Sequence, residues 1–314
     1  MSKKIITVFG ATGAQGGGLV RAILADPNGE FTARAVTRKP DSDTAKALAT
    51  AGAEVVAADL DDAASVQRAM SGAYGAYCVT NFWEHFSPEK ELAQAATLAN
   101  AAARAGVQHV VWSTLEDTRA FFPADGKRMP VLMGKYNVPH FDAKGEANKL
   151  FTGHVPTTLV NTSFYWDNLI HFGMGPKKGP DGVLAITLPM ADKKLSGIAA
   201  EDIGKCVYGI FKGGLAGVGK TYGLAGEHLT GAQMAAALTK ALGQTVRYNA
   251  VTPEQYRGFG FPGAEDLGNM FQFYAEFEDY FTGARPLDVA RRLNPELQDF
   301  AAFLARNATR IPLA

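Results

Sequence analysis

Cysteine is scarce in this chain of 314 residues: only Cys78 and Cys206 occur, far apart. That scarcity excludes a disulfide-stapled scaffold and any paired-cysteine metal site, and it fits a reducing compartment, with both thiols read as small buried hydrophobes. An excess of one charge is missing as well, since Lys plus Arg and Asp plus Glu both total 31. No overall basic field therefore draws nucleic acid or an anionic membrane surface. The six histidines, His85, His109, His140, His154, His171 and His228, show no HExxH or paired spacing, so no metal site is expected. No GxSxG elbow appears, and no Walker lysine follows the glycines. Long apolar runs are also lacking. The opening MSKKIITVFG holds an apolar run that ends after five residues at Gly10, too short for a signal-peptide core or a membrane span, and a cytoplasmic protein is the expectation.

With 47% hydrophobic residues the chain can bury a large core. From Lys4 to Ser163 short apolar runs alternate with helical patterns, the signature of βαβ units around a parallel sheet. The strand candidates are IITVF, FTARAVT, EVVAADL, AYGAYCVT, VQHVVWS and TTLVNTS. Between them, Leu19, Val20, Ile23 and Leu24 fall on one helical face. Ser87-Pro88 ahead of EKELAQAATLANAAARAG supplies an N-cap, a proline at the first helical position, acids in the first turn and Gly106 as the stop. The spacing predicts an α/β fold with a Rossmann-type doubly wound parallel sheet. Residues 1–151 are expected to form the nucleotide-binding domain. Residues 152–314 are expected to return partly to the sheet and to form a smaller α/β region that walls the cleft.

The segment ITVFGATGAQGGGLV carries the main signal. Gly10, Gly13 and Gly16, interleaved with Ala11, Thr12, Ala14 and Gln15, form a GxxGxxG turn between a buried strand and an amphipathic helix. Such a turn lets backbone approach a diphosphate while free N–H groups and the positive end of the helix dipole face it. An acid about twenty residues further on binds a ribose 2′-hydroxyl, whereas an arginine there accepts a 2′-phosphate. Here Arg38, with Lys39 beside it, lies twenty-two positions after Gly16, and no Asp or Glu occurs between Phe31 and Pro40. The expected ligand is therefore NADP(H). Asp59, at the end of the third strand, has two readings: it touches the adenine edge, or it caps the helix that follows.

VFGATGAQGG, GAEVVAADLDD, VTNFWE, HFDAKGE and FPGAEDLGNMFQFYAE together resemble the NmrA-like family, an atypical branch of the short-chain dehydrogenase/reductase superfamily, and within it the HSCARG-type, NADPH-sensing members. The likeness runs from Lys4 to about Asn294. It implies that Gly10 to Gln15 hold the phosphates, that Arg38 meets the 2′-phosphate, and that Thr80, Asn81 and Phe82 line the cofactor at the end of the fourth strand. It further implies that Tyr165, Trp166, Asp167 and Asn168 close over the nicotinamide end; Tyr165 and Trp166 also read as core aromatics.

The superfamily uses a tyrosine and a lysine four residues later, the lysine holding the nicotinamide ribose. In HFDAK the lysine persists as Lys144, but His140 stands in the tyrosine position. Ser113 occupies the place of the superfamily's carbonyl-polarising serine. Two functions stand open. The resemblance implies an NADP(H) redox sensor or regulator working through a protein partner or a homodimer, whereas a reductase of a small carbonyl or quinone would use Lys144 or His140 as acid/base. The long stretch Leu115–His140 is expected to be a lid that orders on cofactor binding. Phe271, Tyr274 and Phe277 form an aromatic stripe, read as core or interface.

Overall fold

The computed structural model describes residues 2–313. Its first half contains β1 (Lys4–Val8), β2 (Phe31–Thr37), β3 (Glu54–Ala57), β4 (Gly75–Cys78), β5 (His109–Thr114) and β6 (Thr157–Asn161). These are joined by α1 (Ala14–Leu24), α2 (Asp43–Thr50), α3 (Ala63–Met70), α4 (Pro88–Arg104) and α5 (Pro139–Thr152). The second half adds β7 (Phe164–Tyr165), β8 (Lys177–Lys178), β9 (Leu184–Leu188), β10 (Lys194–Ile198), β11 (Thr221–Gly223), β12 (Glu227–Thr230) and β13 (Val246–Ala250). Its helices include α6 (Asn168–His171), α7 (Ala200–Lys212), α8 (Gly231–Leu242), α9 (Pro253–Arg257) and α10 (Ala264–Glu276).

The main sheet has seven strands in the order β11-β6-β5-β4-β1-β2-β3, and every pairing in it is parallel. Strands β6 and β11 thus come back to it from beyond residue 151. Two three-stranded sheets, β12-β10-β7 and β13-β9-β8, build the smaller region. The strand order reverses between β1 and β4, which opens a crevice at their carboxyl ends.

Local chemistry sets the helix ends. Ser87 accepts the Lys90 N–H at 3.2 Å to start α4 behind Pro88, and Gly106, at φ +66°, stops it. One sequence reading is corrected here. Asp62 caps α3 by accepting the N–H groups of Ala64 and Ser65, whereas Asp59 sits in the preceding turn and accepts the Asp61 N–H.

Helix α7, from the second half, packs on α1 directly behind the glycine turn. A Cβ at Gly204 would collide with the α1 backbone at Leu19, and one at Gly18 with the Glu201 carbonyl, so the two helices meet through bare backbone. On the opposite face of the sheet Trp112 stacks on Phe151 at 4.5 Å. The halves are also tied by a buried bidentate pair, Arg285 to Glu116 at 2.8 and 2.9 Å, with Arg285 further bonded to the Thr162 carbonyl. The aromatic stripe is core: Phe271 and Tyr274 are buried, and Phe277 stacks on Phe122 at 5.7 Å.

Candidate cofactor site

The crevice begins at the glycine turn. Gly10 takes φ +64°, and a Cβ there would lie 2.9 Å from the Val79 side chain. A Cβ at Gly16 would press into the Gly10 carbonyl, so both positions require glycine. Gly13 is the N-cap of α1, with no side-chain cap and no acid in the first turn. The first intrahelical bond runs from the Gly17 N–H to the Gly13 carbonyl, which leaves the N–H groups of Ala14, Gln15 and Gly16 outside it, with Thr12, Gly13 and Ala14 exposed and Ala11 buried. Free amides at a positive dipole end suit a diphosphate. The Gln15 side chain instead turns inward. Its Oε1 accepts from Tyr77 and from Ser113 at 2.8 Å, and its Nε2 donates to the Tyr165 hydroxyl.

Arg38 lies past the end of β2 and is half exposed. Its guanidinium is paired with Glu84, and Glu84 first, then Asp59 and Asp61, raise its affinity for its proton further. A 2′-phosphate arriving here meets an arginine already holding a carboxylate. Exposed pairs of this kind contribute about 0–1 kcal/mol, so the phosphate can displace Glu84 at low cost.

At the end of β4 the setting is dry. Thr80 and Phe82 are buried and Asn81 is exposed. Lys144, one face of α5, donates to the Thr80 carbonyl at 3.0 Å and the Thr80 hydroxyl at 2.7 Å, and pairs with Glu91 of α4 at 2.6 Å. All three ammonium protons are thereby committed within the chain, an arrangement that positions elements more than it transfers protons. Glu91 has no exposure. Burial opposes its charge, yet Lys144, with His85 and Thr80, outweighs that and holds the carboxyl down at about 2.

One turn earlier on α5, His140 pairs through Nδ1 with Asp266 of α10 at 2.6 Å. Its ring lies 4.7 Å from that of Trp83 and 6.1 Å from that of Phe82. Tyr165, which meets Gln15, is pushed up to about 12 by burial and stays a neutral hydroxyl.

The rest of the SFYWDN segment divides. Trp166 is buried in the smaller region against Phe300 and Phe303, at 5.2 and 5.7 Å, and Asp167 accepts the Ala200 N–H at the head of α7. Asn168 opens α6. So the structure brings Gln15, Ser113 and Tyr165 together, and separately Thr80 and Lys144, while Trp166 packs in the core. The stretch Leu115–His140 is fixed at both ends by one carboxylate: Asp142 accepts from the Thr118 N–H and hydroxyl and from the N–H groups of Asn137 and Val138. With Phe122 and Tyr136 also buried, the exposed part lies within 123–135, where Met129 alone is buried.

Sequence reading missed three acids that organise the site, Glu84, Glu91 and Asp266. Glu91 and Asp266 each sit in the first turn of a helix, where an acid is ordinarily a dipole partner at the surface; only the tertiary contact shows otherwise. Among the described residues no helix is long and apolar enough to cross a membrane, and no group of three or more potential ligands could hold a metal.

The sequence profile described as "NmrA-like family" matches residues 2–304. The NmrA-like family domain-containing oxidoreductase FrzB of Cladobotryum sp. is 31% identical over 290 residues, covering 86% of this chain and 83% of that protein. Among solved structures, NmrA, a negative transcriptional regulator, superposes in its NAD complex with a TM-score of 0.78 and in its NADP complex with 0.75. Each is 25% identical over 97% of this chain and 95% of NmrA.

Proposed function

The chain belongs to the NmrA-like family, and we propose that it binds NADP(H) across the β1/β4 crevice and works as a redox sensor or regulator. The observation that carries this reading is the pairing of a bare glycine-lined helix N-terminus with Arg38 at the adenosine end. NmrA, solved with NAD and with NADP, supports it. In this arrangement the diphosphate takes the amides of Ala14 to Gly16, Arg38 exchanges Glu84 for the 2′-phosphate, and the nicotinamide half lies toward Thr80 and Lys144. Glu84 shares its short helical turn, Phe82–Glu84, with aromatics that pack on His140. Occupancy at the phosphate is thereby passed to the turn, and from it to a partner protein or a second copy of the chain.

Sedimentation velocity with saturating NADPH and with NADP+, alone and with candidate partners, tests this. A cofactor-dependent change in assembly is expected; identical behaviour with bound NADPH, bound NADP+ and no cofactor would overturn sensing. A reductase is the second reading, favoured by the imidazole at the tyrosine position and by relatives named oxidoreductases.

A further inference from the structure

We propose that Asp266 is the positioning residue of an acid–base pair with His140, which makes this chain competent to reduce a carbonyl compound with NADPH. The inference rests on the NADP(H)-binding reading above and adds to it a proton donor and the residue that orients it.

The carboxylate of Asp266 is bound at two points. Its Oδ1 lies 2.6 Å from His140 Nδ1, and its Oδ2 accepts the His140 backbone N–H at 3.2 Å. Helix end and ring are held together. A carboxylate only accepts hydrogen bonds, so Nδ1 carries a proton and Nε2 is the nitrogen left to exchange one. Nε2 has no hydrogen-bond partner among the described residues, and it is not among the buried unpaired polar atoms, so it keeps some exposure.

The approach of α10 is built for this contact. Gly263, its N-cap, takes φ +86°, and a Cβ there would lie 2.9 Å from the Trp83 ring. With glycine the helix presses onto Trp83 and delivers Asp266, 4% exposed, to His140, 6% exposed. Stability does not require such a pair, because well-packed apolar residues of equal volume would serve as well. His140 also lies one turn before Lys144 on α5, and both side chains meet the Thr80–Trp83 segment at the end of β4.

In the reduction, the imidazolium gives its Nε2 proton to the carbonyl oxygen while the carbonyl carbon receives a hydride from NADPH. The C=O π bond becomes the O–H bond of the alcohol, and NADP+ and neutral imidazole remain. The Nδ1 proton stays on the ring throughout, donated to Asp266, whose charge balances the imidazolium.

Asparagine at 266 sharpens the test. Its single oxygen can serve the backbone N–H or the ring, and when it serves the backbone the amide NH2 faces Nδ1 and forces the Nε2–H tautomer. Three readouts are taken on wild type, Asp266→Asn and Asp266→Glu: NADPH binding by fluorescence, NADPH oxidation with 4-nitrobenzaldehyde and 9,10-phenanthrenequinone, and the tautomer of His140 by 15N NMR. Expected are a wild type with Nδ1–H and measurable turnover, and an Asp266→Asn form with unchanged NADPH binding, the inverted tautomer and turnover lower by about 100-fold or more. Asp266→Glu should recover part of the turnover. Wild type that binds NADPH but reduces neither probe overturns the proposal and leaves the sensor reading standing. So does Asp266→Asn with normal turnover, or a loss that matches only its folded fraction with the tautomer unchanged. Absence of NADPH binding in wild type instead overturns the reading beneath it.

Discussion

At its two ends the crevice carries the same kind of contact, a cation on a carboxylate, in opposite settings. Arg38–Glu84 is half exposed on both sides, whereas Lys144–Glu91 is buried, with Glu91 fully so. Water screens the first and leaves it weak. The second is held by neighbours that have no solvent to fall back on, so removing either member strands a charge in a dry place. Under the proposed binding of NADP(H), the exposed pair is the one that would open for a phosphate, and the buried pair would form the floor under the nicotinamide half.

The largest test of that contrast removes one buried partner. Glu91→Gln should lower unfolding free energy by about 3–5 kcal/mol in urea titration, while Glu84→Gln should change it by no more than about 0.5 kcal/mol. Equal effects would erase the distinction between the two ends.

Acid probes the same property without mutation. The folded-state value of Glu91 is depressed to about 2, so its contribution is present above pH 4.5 and is lost as pH falls toward 2. His109 is a buried histidine lowered to about 4 by burial. Its neutral form is the one the fold accepts, so stability should decline from about pH 6.5 to pH 4 by up to about 3 kcal/mol. His109→Gln should flatten that part of the curve; a stability profile indifferent to this substitution would show that burial at His109 does not govern it.

How much of this was legible in the chain follows the same line. The parallel sheet, the glycine turn and the start and stop of α4 are local events, written in Gly10, Ser87, Pro88 and Gly106, and the structure has them where the pattern put them. Arg38 was legible as the cation that stands after β2 in place of the usual acid. Its partner was not, because Glu84 is 46 positions away and its turn reads as an aromatic loop. Trp166 misled for a related reason: next to Tyr165, which meets Gln15, it alternates to the other side and fills the core against Phe300. Asp266 became visible only when α10 was seen folded onto α5.

Smaller effects belong to the exposed end. Arg38→Ala should weaken NADP+ binding about tenfold to a hundredfold, the loss of one charge-assisted bond of roughly 1.5–3 kcal/mol, and leave NAD+ binding nearly unchanged, as read by calorimetry. Glu84→Gln should act in the reverse direction and more weakly, tightening NADP+ by a few-fold, within about 1 kcal/mol. If Glu84→Gln weakened NADP+ instead, Glu84 would be a partner of the cofactor and not its competitor.

A crystal structure with NADP+ bound tests the central claim most directly. The expected result is a guanidinium of Arg38 moved from Glu84 to the 2′-phosphate, with Lys144–Glu91 and His140–Asp266 still closed. Arg38 remaining on Glu84 beside a bound dinucleotide, or buried pairs opened while the exposed one holds, would contradict it.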